Sequence, residues 1–178
     1  MDSNEPVVAR RDGDIRPRDR PPEGRRPPKR ERSETPERGG FRGTVTVHLR
    51  GTAPDAAHEQ QRAVVGELRR LDRNDVIERL RVRRWERRVS VPSDGPDSEV
   101  VGLYDEFVDA VGAHALEPFF EQRPGIGRLD RTVVLPMICV TARRDGELVG
   151  LYPRYNDDEH ESVSDALTRL RGGDVENL

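Results

Sequence analysis

The chain of 178 residues has one cysteine, Cys139, so no disulfide can form within it. Aromatic residues supply only 4% of the sequence and apolar residues 33%, which predicts a lean core and a segment that stays outside it. The longest apolar run, Val133 to Val140, is broken by Pro136. A membrane-spanning helix needs about 20 apolar residues, so none is expected. The N-terminus has no apolar stretch of the kind that marks a secretory signal. These absences predict a cytoplasmic protein with no membrane partner. Cys139, inside the apolar run, reads as a small buried hydrophobe.

Signs of catalysis are missing as well. The four histidines, His48, His58, His114 and His160, do not pair with one another or with Cys139 at ligand spacing, so no metal site is expected. The acidic stretch "DDEHE" at 157–161 reads as a solvated loop before a helix N-terminus. "PGIGRLD" at 124–130 has two glycines but lacks the Lys and Ser/Thr of a phosphate loop. No serine sits in a nucleophile elbow. The expectation is a non-enzyme with no catalytic residue and no cofactor.

What the chain has in quantity is charge, at 37% of residues. Of its 31 basic and 34 acidic side chains, residues 1–43 hold 12 and 9, a net of +3, which leaves 19 and 25, a net of −6, for residues 44–178. A folded part of that sign is not a general polyanion binder. Only Lys29 is lysine, and the other basic residues are arginine. Seven of the 14 prolines also fall in 1–43. So few apolar groups there cannot offset roughly 1–2 kcal/mol of backbone entropy per residue. The predicted organisation is a disordered Arg/Pro-rich tail at 1–43, one α+β domain at 44–172, and a frayed C-terminus at 173–178.

Periodicity predicts the elements. In "TVTVHLR", Val45, Val47 and Leu49 alternate with Thr44, Thr46, His48 and Arg50, as in a half-buried strand with His48 facing solvent. Thr52 is placed to cap a helix whose stripe is Ala57, Val64, Val65, Leu68 and Leu71. A second helix, about 98–111, carries Val100, Val101, Tyr104, Phe107, Val108 and Val111 and stops at Gly112. Gly66 and Gly102, inside these helices, suggest close packing on a sheet. "LEPFFEQR" predicts a short strand around Phe119 and Phe120. Asp145-Gly146 marks a hairpin, Pro136 a bulge or edge position, and Ser162 with Asp165 a capped last helix that Gly172 ends. The first six elements match the ferredoxin-like β-α-β-β-α-β order, followed by a hairpin and a short C-terminal helix.

One stretch, "RLRVRRWERRVSV" at 79–91, admits two readings. Six arginines, Arg79, Arg81, Arg83, Arg84, Arg87 and Arg88, fall within ten positions beside Trp85. As a helix its apolar stripe fails after one turn. As strand, turn, strand it places Leu80, Val82, Val89 and Val91 in alternation, and the strand template fits more positions. In the helical alternative, residues 56–88 form a helix-turn-helix, with Arg83, Arg84, Arg87 and Arg88 reaching guanines or phosphates.

From residue 44 onward the chain resembles small haloarchaeal proteins labelled helix-turn-helix domain proteins. The matching pieces are "VTVHLRGTAPDAAHEQQ", "LRVRRWERRV", "LEPFFEQR", "VVLPMICVTARRDGELVGLYP" and "SVSDALTRL". The resemblance implies a cytoplasmic, DNA-associated regulator of a salt-loving archaeon and carries over no particular functional residue. Molar salt shortens the Debye length to about 3 Å, so binding there would have to rest on base contacts and shape. The competing expectation is a ligand-sensing or protein-interaction module with no nucleic acid. DNA and a second copy of the chain are thus the candidate partners. A helix at 76–88 would favour the regulator, and a strand the module.

Overall fold

The structure is a computed structural model that describes residues 39–92, 98–127 and 129–178. The reading of the tail as disordered lies outside them for residues 1–38. The described residues form an α+β architecture with more strand than helix. The first strand, β1 (Phe41–Arg50), leads through helix α1 (Asp55–Arg73) to β2 (Ile77–Trp85). Next come β3 (Arg88–Pro92), α2 (Glu99–Val111) and a single turn of helix, α3 (Ala113–Leu116). Strands β4 (Glu121–Pro124), β5 (Leu129–Val134), β6 (Ile138–Arg144) and β7 (Glu147–Tyr152) follow. A small ladder of β8 (Arg154–Asn156) and β9 (Glu159–Glu161) precedes the last helix, α4 (Val163–Gly172).

Strands β2-β1-β6-β7 form one sheet, in that order, and β3-β5-β4 form a second, antiparallel one. Strands β1 and β2 are adjacent and parallel across α1. That adjacency corrects the expected ferredoxin-like order, whose split βαβ unit places a strand between the two. The physical reason lies in β6, which pairs antiparallel with the other edge of β1 and leaves β2 at the margin of the sheet.

Alternation sorts the side chains to two cores. Val45, Val47 and Leu49 of β1 and Ile138, Val140 and Ala142 of β6 pack with Val64, Leu68 and Leu71 of α1 and Ala166 and Leu170 of α4. On the opposite face Cys139 and Leu151 meet Tyr104 and Phe107 of α2, with Leu116, Phe120, Val133, Leu135 and Trp85. Strand β6 is therefore covered on both sides, as its doubly apolar sequence predicts. Burial pushes the Cys139 thiol well up, so it stays protonated and inert.

The two sheets meet at two chain breaks that lie side by side. Residues 86–87 separate β2 from β3, and residues 135–137 separate β5 from β6. The Leu135 amide donates to the Arg87 carbonyl at 2.9 Å, and Trp85 Nε1 to the Pro136 carbonyl at 3.1 Å. Thus 79–91 is strand, break, strand, but its halves join different sheets and do not pair with each other. Pro136, expected at a bulge or edge, marks the point where the chain changes sheet.

Several local expectations are corrected. No side chain caps α1, whose N-cap is Pro54 rather than Thr52. Phe119 and Phe120 are not in a strand, because both amides donate back to the Leu116 carbonyl, at 2.8 and 2.9 Å. Gly66 and Gly102 have no atom within 4 Å of where a Cβ would stand, so neither is kept small by packing. Phe41, assigned to the tail, is 1% exposed and opens β1. The C-terminus is docked rather than frayed. Val175 is fully buried, its carbonyl accepts from the Tyr152 hydroxyl at 2.9 Å, and the Asn177 amide donates to the Val149 carbonyl at 2.9 Å. Gly150 makes room for this segment, since a Cβ there would stand 2.6 Å from the Val175 carbonyl. The capping box of α4, Ser162 with Asp165, forms as its spacing predicts, and Asp145-Gly146 turns the β6–β7 hairpin, both with positive φ.

Candidate anion-binding trough

The cross-strand register determines what the second face of the large sheet presents near β2. Thr44, Thr46 and His48 of β1 lie opposite Arg79, Arg81 and Arg83 of β2. On the other side they lie opposite Arg143, Thr141 and Cys139 of β6. Side chains directly opposite in adjacent strands share a face. Three arginines of β2, two threonines and a histidine of β1, and Thr141 and Arg143 of β6 therefore form one surface.

Helix α2 packs on the β6–β7 half of this face and flanks the β2–β1 half. The result is a trough with two connected parts. The inner part, of about 350 Å³, is walled by Val100, Leu103, Glu99 and Glu106 of α2 against Thr46, His48, Arg81, Arg83, Trp85, Thr141 and Arg143. The outer part, of about 510 Å³, shares Thr46, Arg81 and Arg143 and adds Arg42, Thr44, Arg79 and Arg144, with Glu78 and Asp145 as its acids. Gly43 shapes the outer mouth. It sits at an irregularity in the β1–β2 pairing with φ of 153°, and a Cβ there would run into the Arg143 carbonyl.

The charges in the trough are unequally engaged. Arg143 grips Glu106 with two hydrogen bonds of 2.6 Å, a bidentate pair that anchors α2 to the sheet. Arg79, Arg81 and Arg83 make no ion pair or hydrogen bond with a described residue, and all three are exposed. His48, expected to face solvent, is 8% exposed and stacks on Trp85 with ring centroids 4.8 Å apart. Burial, then the Arg83 and Arg143 charges, lower its pKa to about 4. It is therefore neutral near pH 7, with one nitrogen able to donate and the other to accept. Thr141 is 2% exposed at the floor.

The six arginines singled out by sequence do not share one face. Arg79, Arg81 and Arg83 share the trough face. Arg84 pairs with Leu49 and lines a cleft with His58, Gln61, Arg62 and Val65 beside α1, and it also borders the inner trough. Arg87 lies in the break and Arg88 opens β3, next to Gly51, Thr52 and Glu86. Thr46, His48, Thr141, Arg143 and the α2 wall were missed. The alternation of β1 put Thr46 and His48 on one polar side, but only the β1–β6 register brings Thr141 and Arg143 to them.

Two consecutive helices without an intervening strand occur once among the described residues, at α2 and α3 around Gly112. Helix α3 has four residues, about 6 Å of helix, with Leu116 buried in the core. Its sequence, "AHAL", has no arginine or lysine, and it is too short to lie along a major groove. The helix-turn-helix over 56–88 is absent because its second half is β2. Among the described residues no three His, Cys, Asp or Glu side chains gather to hold a metal ion, and no helix is long and apolar enough to cross a membrane.

No curated protein and no solved structure matches the chain. A family described as "helix-turn-helix domain" matches residues 41–174, from the first core residue of β1 to just past α4. The match spans the three sheets and four helices of the described residues, and on it the chain belongs to this helix-turn-helix domain family.

Proposed function

We propose that the chain is a non-catalytic, DNA-associated regulator that meets the duplex through the β2 margin of its large sheet rather than through an inserted helix. One observation carries this reading. Arg79, Arg81 and Arg83 project in a row from alternate positions of a margin strand, with no ion pair to a described residue. Alternate strand residues repeat every ~6.6 Å, comparable with the phosphate step of a nucleic-acid strand. The family match supports a role at DNA. Contacts of this kind position a protein on the backbone and carry no base information by themselves.

Fluorescence anisotropy with labelled duplex, from low to molar KCl, tests the proposal. Each phosphate neutralised contributes about −0.9 to the slope of log affinity against log salt. Replacing Arg79, Arg81 and Arg83 together by glutamine is expected to flatten that slope by roughly 3 units. Absence of binding even at low salt, or an unchanged slope in the variant, rejects it.

A second reading, a ligand-sensing module, is favoured by the strand at 77–85 and by the trough under α2. The described strands do not have the ferredoxin-like order expected for such a module, so this reading rests on that strand and the trough.

A further inference from the structure

We infer that the inner trough, between α2 and the sheet, is a binding site for a small phosphate monoester with a flat apolar body, of mononucleotide class. This goes beyond contact with DNA and does not depend on it. The sheet-side wall presents two guanidiniums, Arg81 and Arg83, with the hydroxyls of Thr46 and Thr141 and the His48 ring. None of these five side chains has a hydrogen-bond partner among the described residues, although His48 and Thr141 are themselves buried. Their polar atoms are not sealed off, since the one fully buried unpartnered side-chain atom among the described residues is Arg50 Nε, so they stand open to a ligand that fills the trough. Guanidinium and hydroxyl donors around a neutral imidazole are the donor set that phosphate oxygens accept from.

The opposite wall differs in chemistry. Val100 and Leu103 of α2 are apolar, and Trp85 closes the inner end behind His48. A phosphate alone would leave that wall without a partner, whereas a ring attached to it would cover the two aliphatic side chains. Of the two carboxylates in this part, Glu106 is already held by Arg143, and Glu99 has no partner among the described residues. Glu99 can thus accept from an N–H of the ring. A volume of about 350 Å³ lies at the small end of the range for ligand sites and suits a mononucleotide.

Trp85 is the only tryptophan in the chain and lines this space, so its emission reports on occupancy directly. The experiment titrates the full chain with 5′-AMP, adenosine and inorganic phosphate, following Trp85 fluorescence. Saturable change with 5′-AMP is expected, with affinity at least tenfold above either fragment. Arg83→Gln and Thr141→Val should each weaken 5′-AMP at least fivefold, while Arg87→Gln, outside the trough, should not. Equal binding of adenosine, equal binding of inorganic phosphate, or no saturable change into the millimolar range would each overturn the inference. Should Thr141→Val fail to fold, the Arg83→Gln arm decides by itself. A short duplex, titrated in parallel, separates the two sources of phosphate. Arg79→Gln should weaken the duplex and spare 5′-AMP, because Arg79 lies only in the outer part, and Thr141→Val should do the reverse.

Discussion

His48 shows how one residue's neighbours, rather than its type, determine its chemistry. In the sequence it is a polar residue on the polar side of a strand. In the fold Trp85 covers one face of its ring, and Arg83 and Arg143 surround it with like charge. The folded protein therefore resists protonating His48 until about pH 4, against 6.5 in the unfolded chain. Between those values the unfolded state binds more protons, so stability rises with pH across that window and is lost as pH falls from 6.5 toward 4. The shift corresponds to about 3 kcal/mol at full extent. A His48→Gln variant should lose this segment of the pH dependence. Urea unfolding of both proteins at a series of pH values checks it, and parallel curves between pH 6.5 and 4 would refute it. What sequence could give here was the alternation of β1, which put Thr46 and His48 on one side. It could not say that the opposite side of the sheet would also be partly covered, because the partner helix lies fifty residues away.

At the level of elements, strands and helices were legible wherever local chemistry is decisive. The stripe of α1, the stop of α2 at Gly112, the capping box of α4 and the β6–β7 turn all follow from spacing and local hydrogen bonding. Elements were misread where a distant partner overrides local pattern. Strands β2 and β3 read in sequence as strand, turn, strand, yet their ladders go to β1 and β5. The two interior glycines are a further case. Gly66 and Gly102 follow paired valines and suggested tight helix–sheet contact, but both are exposed with open space around them. With no packing reason to remain glycine, each lowers the stability of its helix. Gly66→Ala and Gly102→Ala should each raise unfolding free energy by about 0.5–1 kcal/mol, through helix propensity and reduced unfolded-state entropy. Loss of stability in chemical denaturation would show that these glycines serve contacts outside the described residues.

At the scale of the domain, the two faces of the large sheet depend on the last few residues. Glu161 is 6% exposed and accepts from Arg154 Nε at 2.9 Å, Arg169 at 2.9 Å and Asn177 Nδ2 at 2.6 Å. This carboxylate thereby joins β8, β9, α4 and the C-terminal segment. A buried carboxylate with three donors leaves two buried or half-buried guanidiniums without a counter-charge when it is removed. Glu161→Ala should cost roughly 3–5 kcal/mol, measurable as a fall in urea midpoint, while Glu159→Ala, exposed at the other end of the same short strand, should cost little. Equal effects of the two would count against the network. None of this was visible in "DDEHE", where Glu161 reads like any other acid, because its donors lie in segments that only the fold brings together. The domain's outline as α+β was legible, and its sheet order was not, since order depends on which margin β6 chooses.

The two margins of that sheet are protected by different means. At β7, Asn177 bonds the Val149 carbonyl and both the amide and carbonyl of Leu151, so the chain's own end occupies the ladder. At β2 no described strand follows, and Arg79, Arg81 and Arg83 stand along an open ladder. Two copies meeting there would set like charges against each other, a common guard against strand-to-strand self-association. Such a guard works through space and weakens as salt shortens the Debye length toward about 3 Å at 1 M. Sedimentation velocity should therefore find the chain monomeric in dilute buffer and increasingly self-associated toward molar KCl, with Arg81→Gln shifting the onset to lower salt. A monomer at every salt concentration would mean that something other than charge keeps this margin apart. The same three side chains would then set, through the salt around them, whether the sheet ends at β2 or continues into a second copy.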